Sequence, residues 1–107
     1  MDRVVMNGGI AAEPYPVGVG EALHIQYSGM LSRSGADKVY LRAGYGSNDS
    51  WADVHDYEMM PTDNGWEADL KVHRGGRIHF CFRDRADNWD NNNGHNWNYP
   101  IDSSRFK

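Results

Sequence analysis

Apolar and polar residues alternate with a period of two through "ALHIQYSG", where Leu23, Ile25 and Tyr27 fall on one side and His24, Gln26 and Ser28 on the other. That period predicts a strand with one buried face. Three further segments repeat it. "KVYLRAG" sets Val39, Leu41 and Ala43 inside and Lys38, Tyr40 and Arg42 outside. "GWEADLKVH" sets Trp66, Ala68, Leu70 and Val72 against Glu67, Asp69, Lys71 and His73, and "GRIHFCFRD" sets Ile78, Phe80 and Phe82 against Arg77, His79, Cys81 and Arg83.

Turn signals separate these runs: "MNGG" at 6–9, "RSGAD" at 33–37, "GSNDS" at 46–50, "TDNG" at 62–65 and "RGG" at 74–76. No window of helical length carries a clean helical stripe. Short alternating strands at this spacing predict an all-β chain, an immunoglobulin-like antiparallel β-sandwich with a barrel as the alternative. The prolines of "AAEPYPVGVGE" mark an edge segment rather than a linker. "RADNWDNNNGHN" falls between the strand ending near Asp84 and a closing strand around Trp97 to Ile101, so it reads as a loop at an edge or end of the sandwich. Trp66 and one of Met59 and Met60 are assigned to the core; Tyr57 is open.

Composition narrows the partners. With 107 residues the chain has room for one domain, residues 1–107. Its 11 basic and 15 acidic residues leave a net charge of −4, which gives no overall positive field for phosphate backbones or anionic lipid. Neither nucleic acid nor membrane is therefore the expected partner. The single Cys81 excludes an intrachain disulfide. No run reaches the apolar length of a signal-peptide core or a membrane span. A complete chain of this kind is expected in the cytoplasm; a module excised from a secreted enzyme is expected outside the cell. It is expected to work as a monomer, tethered to a glycan-active enzyme if it is an excised domain.

The chemistry lies in "DNWDNNNGHNWNY", residues 87–99. Asparagine offers a donor and an acceptor without net charge, which suits neutral hydroxyls, and tryptophan offers a rigid apolar face. A pyranose ring combines a C–H-rich face with an equator of hydroxyls, so an indole platform rimmed by amides meets both. At ~25 cal/mol per Å², about 50–70 Å² of apolar surface covered per ring gives roughly 1–2 kcal/mol per platform. Two platforms and a few hydrogen bonds, less ordering costs, predict binding between roughly millimolar and tens of micromolar. Asn and Asp also favour tight turns, and a tryptophan in such a loop can simply cover the core. Trp97, at the start of a strand, fits that second role better than Trp89.

"GWEADLKVHRGGRIHFCFRDRADNWDNNNGHNW", with "VYLRAGYGSNDSW" upstream, resembles the starch-binding carbohydrate-binding modules of families 25 and 53. Their signature runs hydrophobic-x-His-x-Gly, a Trp, Phe-x-Asp-Gly, Trp-Asp-Asn-Asn and Asn-Tyr. Trp89, Asp90, Asn91 and Asn92 match the Trp-Asp-Asn-Asn element, Phe82 and Asp84 the piece before it, and Trp51 the upstream Trp. The resemblance implies a β-sandwich that binds α-glucan (starch, glycogen, maltooligosaccharides) and carries no catalytic residues and no cofactor. It implies Trp51 and Trp89 as two angled platforms, with Arg42, Tyr40, Asp90, Asn91, Asn92 and Asn93 supplying polar contacts. Three positions depart from the pattern: Arg42 stands where the family has His, Arg85 where it has Gly, and Trp97 where it has the final Tyr. The competing role for Arg42 is a solvated strand face, and for Trp51 an edge cover.

Other chemistries have weaker motifs. His79 and Cys81 share a strand face, but two ligands do not make a zinc site. An EF-hand frame with Gly94 at its sixth position puts Trp89 at the first ligand and Pro100 at the twelfth, which fails. A non-standard calcium loop through Asp84, Asp87 or Asp90 stays open. No pair of carboxylates is singled out for acid–base work, and no motif surrounds a Ser or Cys81 nucleophile. The alternative functions are single-stranded nucleic acid binding by the aromatics beside Arg42, Arg83 and Arg85, or a protein-interaction surface using the same rings.

Overall fold

The four alternating segments form the centre of the molecule. In a computed structural model, which describes residues 3–106, they become β4 (Ala22–Tyr27), β5 (Val39–Ser47), β8 (Trp66–Lys71) and β9 (Gly76–Asp84). Around them lie β1 (Val4–Met6), β2 (Ile10–Glu13), β3 (Val17–Val19), β6 (Ser50–Glu58), β7 (Met60–Pro61), β10 (Trp89–Asp90) and β11 (Trp97–Phe106). One four-residue helix, α1 (Met30–Arg33), follows β4.

These strands make two packed sheets, a β-sandwich. One sheet has the order β1-β2-β4-β8-β7. The other has the order β3-β11-β9-β5-β6, with β10 also paired to β9. All pairs are antiparallel except β3 with β11, which is parallel. Two separate sheets exclude the barrel. The expected inward residues Leu23, Ile25, Tyr27, Val39, Leu41, Ala43, Trp66, Leu70, Val72, Ile78, Phe80 and Phe82 are buried, as is Met59, while Met60 is exposed and Tyr57 and Ala68 are half-buried. The two sheets meet where Tyr27 stacks on Phe82, ring centroids 4.1 Å apart and planes 24° apart.

"AAEPYPVGVGE" is not one edge segment. Its start belongs to β2, which lies between β1 and β4, with Ala11 and Ala12 buried; its end forms β3, the edge of the opposite sheet. Pro14 and Pro16 fall in the crossing between the sheets, where neither needs to donate to a ladder. The Tyr99 hydroxyl donates to the Pro14 carbonyl at 2.8 Å and pins that crossing to the closing strand. The closing strand begins at Trp97, as the spacing predicts, and runs on to Phe106.

Candidate functional site

The outer face of the β5–β9 sheet collects most of the expected site residues. Register decides which. Trp89 pairs with Arg83 and Asp90 with Phe82. Phe82 points into the core, so Trp89 and Arg83 point outward and Asp90 points in. Across β5, Tyr40 pairs with Arg83 and Arg42 with Cys81, which brings Tyr40 and Arg42 to the same face as Trp89. Trp89 is 41% exposed, a large apolar surface left open to solvent.

Trp51 reaches this face from the edge strand β6. Its ring stacks on His79 of β9, centroids 6.0 Å and planes 24° apart, and its indole Nε1 donates to the Asn48 carbonyl at 3.1 Å. The ring lies this low because residue 44 is glycine: a Cβ there would sit 2.9 Å from the Trp51 Cβ. His79, under the Trp51 ring, lies four residues along β9 from Arg83, the partner of Trp89, so the backbone positions beside the two indoles are about 14 Å apart at the usual strand rise. Both expected platforms thus share one face.

Between them lies a charged patch. Asp56 accepts from Arg42 Nη1 at 3.2 Å and from Arg83 Nη2 at 3.2 Å. The Arg42 guanidinium carbon is 5.9 Å from the centre of the Trp89 ring, and that of Arg83 is 4.5 Å from the centre of Tyr40. The exposed face of Tyr40 is therefore covered by Arg83 rather than open as a third platform. Arg83 also faces Asp87, and Arg85 faces Asp37 at 3.5 Å. Each arginine that could have met a phosphate backbone has a carboxylate neighbour.

The Asn-rich loop is largely bonded to itself. Asn91 Oδ1 accepts from the Gly94 amide at 3.0 Å, and its carbonyl accepts from the Asn96 amide at 2.7 Å. Asn92 Oδ1 accepts from Asn7 at 2.9 Å, and its Nδ2 donates to the Asn96 carbonyl at 3.1 Å. Asn92, Asn93 and Asn96 all adopt left-handed backbone, with φ of 58°, 56° and 59°. Asparagine tolerates that region better than most residues, so the repeated asparagines shape the turn as much as they present amides. Asn93 is exposed. Asp90, expected beside Trp89, instead accepts from the Tyr27 hydroxyl at 2.6 Å, and burial together with this carboxylate raises the Tyr27 pKa far above its ordinary value.

The departures from the family pattern also find places. Asp84 accepts from the Ala86 amide, the Asn88 amide and the Asn88 carboxamide, and the Asn88 bonds hold its carboxyl below the usual carboxylate range. The left-handed residue of that turn is Asp87, with φ 62°, so Arg85 can stand where the family has glycine. Trp97 pairs with Phe80, is 4% exposed, and donates its indole N–H to the Asn7 carbonyl at 2.9 Å. It is a core residue that also holds the β1–β2 turn.

Neither metal proposal gains a centre. Among the described residues no group of three His, Cys, Asp or Glu could hold a metal ion. Asp84, Asp87 and Asp90 turn to three different partners. His79 and Cys81, expected to face solvent, are each only 5% exposed, and burial pushes the Cys81 thiol up to about 11, which leaves it protonated and unreactive. Nothing in alternation alone signalled that Trp51 would fold over His79. No helix among the described residues is long and apolar enough to cross a membrane.

Two indoles thus lie on the outer face of one sheet of the sandwich. The family model described as starch/carbohydrate-binding module (family 53) matches residues 23–80, more than half of the chain, so the chain belongs to that family of carbohydrate-binding modules. The match takes in Trp51 and Arg42 and stops short of the Asn-rich loop. The likeness to family 25 rests on the quoted residues alone. No curated protein and no solved structure matches the chain significantly.

Proposed function

We propose that this module binds α-glucan, as starch, glycogen or maltooligosaccharide, by stacking glucose rings on Trp51 and Trp89, and that it does so without catalysis. The observation that carries the reading is the placement of both indoles on one face, beside β9 positions four residues and about 14 Å of strand apart. That spacing suits a ligand of several linked rings rather than one monosaccharide. The exposed edge of Arg42 beside Trp89 and the amide of Asn93 are the polar groups best placed to meet hydroxyls. Asp90, Asn91 and Asn92 serve mainly to hold Trp89 in place. We read the module as a monomer; as part of a larger enzyme it would keep that enzyme on its polysaccharide.

Native affinity electrophoresis in gels containing soluble starch tests this reading. The wild type is expected to be retarded, and Trp89→Ala and Trp51→Ala are each expected to lose roughly 1–2 kcal/mol of binding, about five- to thirtyfold in affinity. An unretarded wild type, or a Trp89→Ala protein that migrates like the wild type, would overturn it.

A further inference from the structure

The turn before Trp51 and the loop after Trp89 are far apart in sequence yet bonded to one another, and Asn48 is where they meet. Its Nδ2 donates to the His95 carbonyl at 3.2 Å, and its Oδ1 accepts from Asn96 Nδ2 at 3.1 Å. Its own carbonyl accepts the Trp51 indole N–H at 3.1 Å. From Asn96 the bonds continue to Asn91 and Asn92, which directly follow the Trp89–Asp90 strand. One exposed asparagine therefore touches the first platform's ring and the loop that anchors the second.

We infer that Asn48 is a positioning residue that sets the spacing and relative tilt of the two tryptophan platforms, and so selects for ligands long enough to span both. This rests on the glucan-binding reading. A long oligosaccharide gains from both rings only if they are held at the right separation before it arrives; otherwise binding must also order the two loops. A disaccharide seated on one ring does not sense the other. The bonds of Asn48 are exposed, so their removal costs little of the fold.

The test is titration calorimetry of maltose and maltoheptaose against wild type, Asn48→Ala, Asn96→Gly and the double variant. Glycine is chosen at 96 because that residue has φ 59°. Each single variant is expected to bind maltoheptaose about three- to tenfold more weakly, the loss of roughly one net hydrogen bond, and maltose within about twofold of the wild type. The double variant should be no worse than Asn48→Ala, since that change alone already removes the Asn96 bond together with the bond to the His95 carbonyl. Equal loss for both sugars, additive losses, or no loss would each overturn the inference. A second readout needs no sugar. In ¹H–¹⁵N spectra, Asn96→Gly should speed solvent exchange of the Trp51 indole N–H, and Asn48→Ala should shift the Trp89 indole signal. Unchanged indole signals overturn the coupling. A wild type that binds neither sugar would sink the glucan reading, while these spectra would still decide whether Asn48 couples the two loops.

Discussion

Trp89 and Trp97 stand eight residues apart in one asparagine-rich stretch, and they meet opposite fates. Trp89 pairs with Arg83, outward and 41% exposed; Trp97 pairs with Phe80, inward and 4% exposed. Their partners on β9 are three residues apart, an odd number, and on a pleated strand an odd offset means opposite faces. Between the two pairings, residues 91–96 leave the ladder, turn on three left-handed asparagines and return. Neither ring's surroundings in sequence decide its role. The parity of the strand it rejoins does.

The strongest way to break this contrast is to truncate the inward ring. Trp97 packs edge-on to Phe82, centroids 5.5 Å apart, and its indole N–H is the bond that holds Asn7. Trp97→Ala should cost roughly 3–5 kcal/mol, the range for a buried large aromatic, read from urea unfolding. The same change at Trp89 should leave stability within about 1 kcal/mol of the wild type, since an exposed ring has little packing to lose. Comparable losses at both sites would mean that the two ends of the loop are not on different faces.

A subtler cut removes the link between the outward ring and the core. Tyr27 donates to Asp90 and accepts from the Leu31 amide at 3.0 Å, so one hydroxyl ties the residue after Trp89 to the start of α1. Tyr27→Phe keeps the ring against Phe82 and removes only the hydroxyl. It should cost about 1–3 kcal/mol, because a buried amide and a part-buried carboxylate both lose their partner. A loss below about 0.5 kcal/mol would show that water replaces the hydroxyl in both bonds.

What the sequence displays and what it hides follow the same physics. β4, β5, β8 and β9 were legible because each has one face in the core and its neighbours on both edges, which imposes a strict period of two. β6 was not, because an edge strand with no fully buried residue has no reason to alternate: in "SWADVHDYE" the half-buried residues are Trp51, Ala52 and Tyr57, which do not follow a period of two. β10, at two residues, is too short to show any period. At the site, the tryptophans could be named from their type and motif, and Arg42 and Tyr40 from alternation. The inward turn of Asp90 was hidden, although the register that forces it follows once Trp89 is paired with Arg83. So was the burial of His79 and Cys81, because alternation says which side a residue faces and not what lies over it. The asparagines were ambiguous from the start, since one side chain serves both left-handed turns and hydroxyl recognition.

The smallest expected effect sharpens the outward side of the comparison. Arg42 stands where the family pattern has histidine, opposite Cys81, with its guanidinium shared between the Trp89 ring and Asp56. Its ion pair is partly exposed, and Asp56 keeps Arg83 as a second partner, so the pair adds little to the fold. Its place beside Trp89 is different: a cation at the ring's rim and a donor toward a bound sugar edge both vanish in Arg42→Ala. Maltooligosaccharide binding should weaken about two- to fivefold, roughly one modest hydrogen bond, with a melting temperature within about 4 °C of the wild type. A large drop in melting temperature with unchanged affinity would instead make Arg42 a structural cover over Cys81. In that case the open face of Trp89 would have to do its work without help from β5.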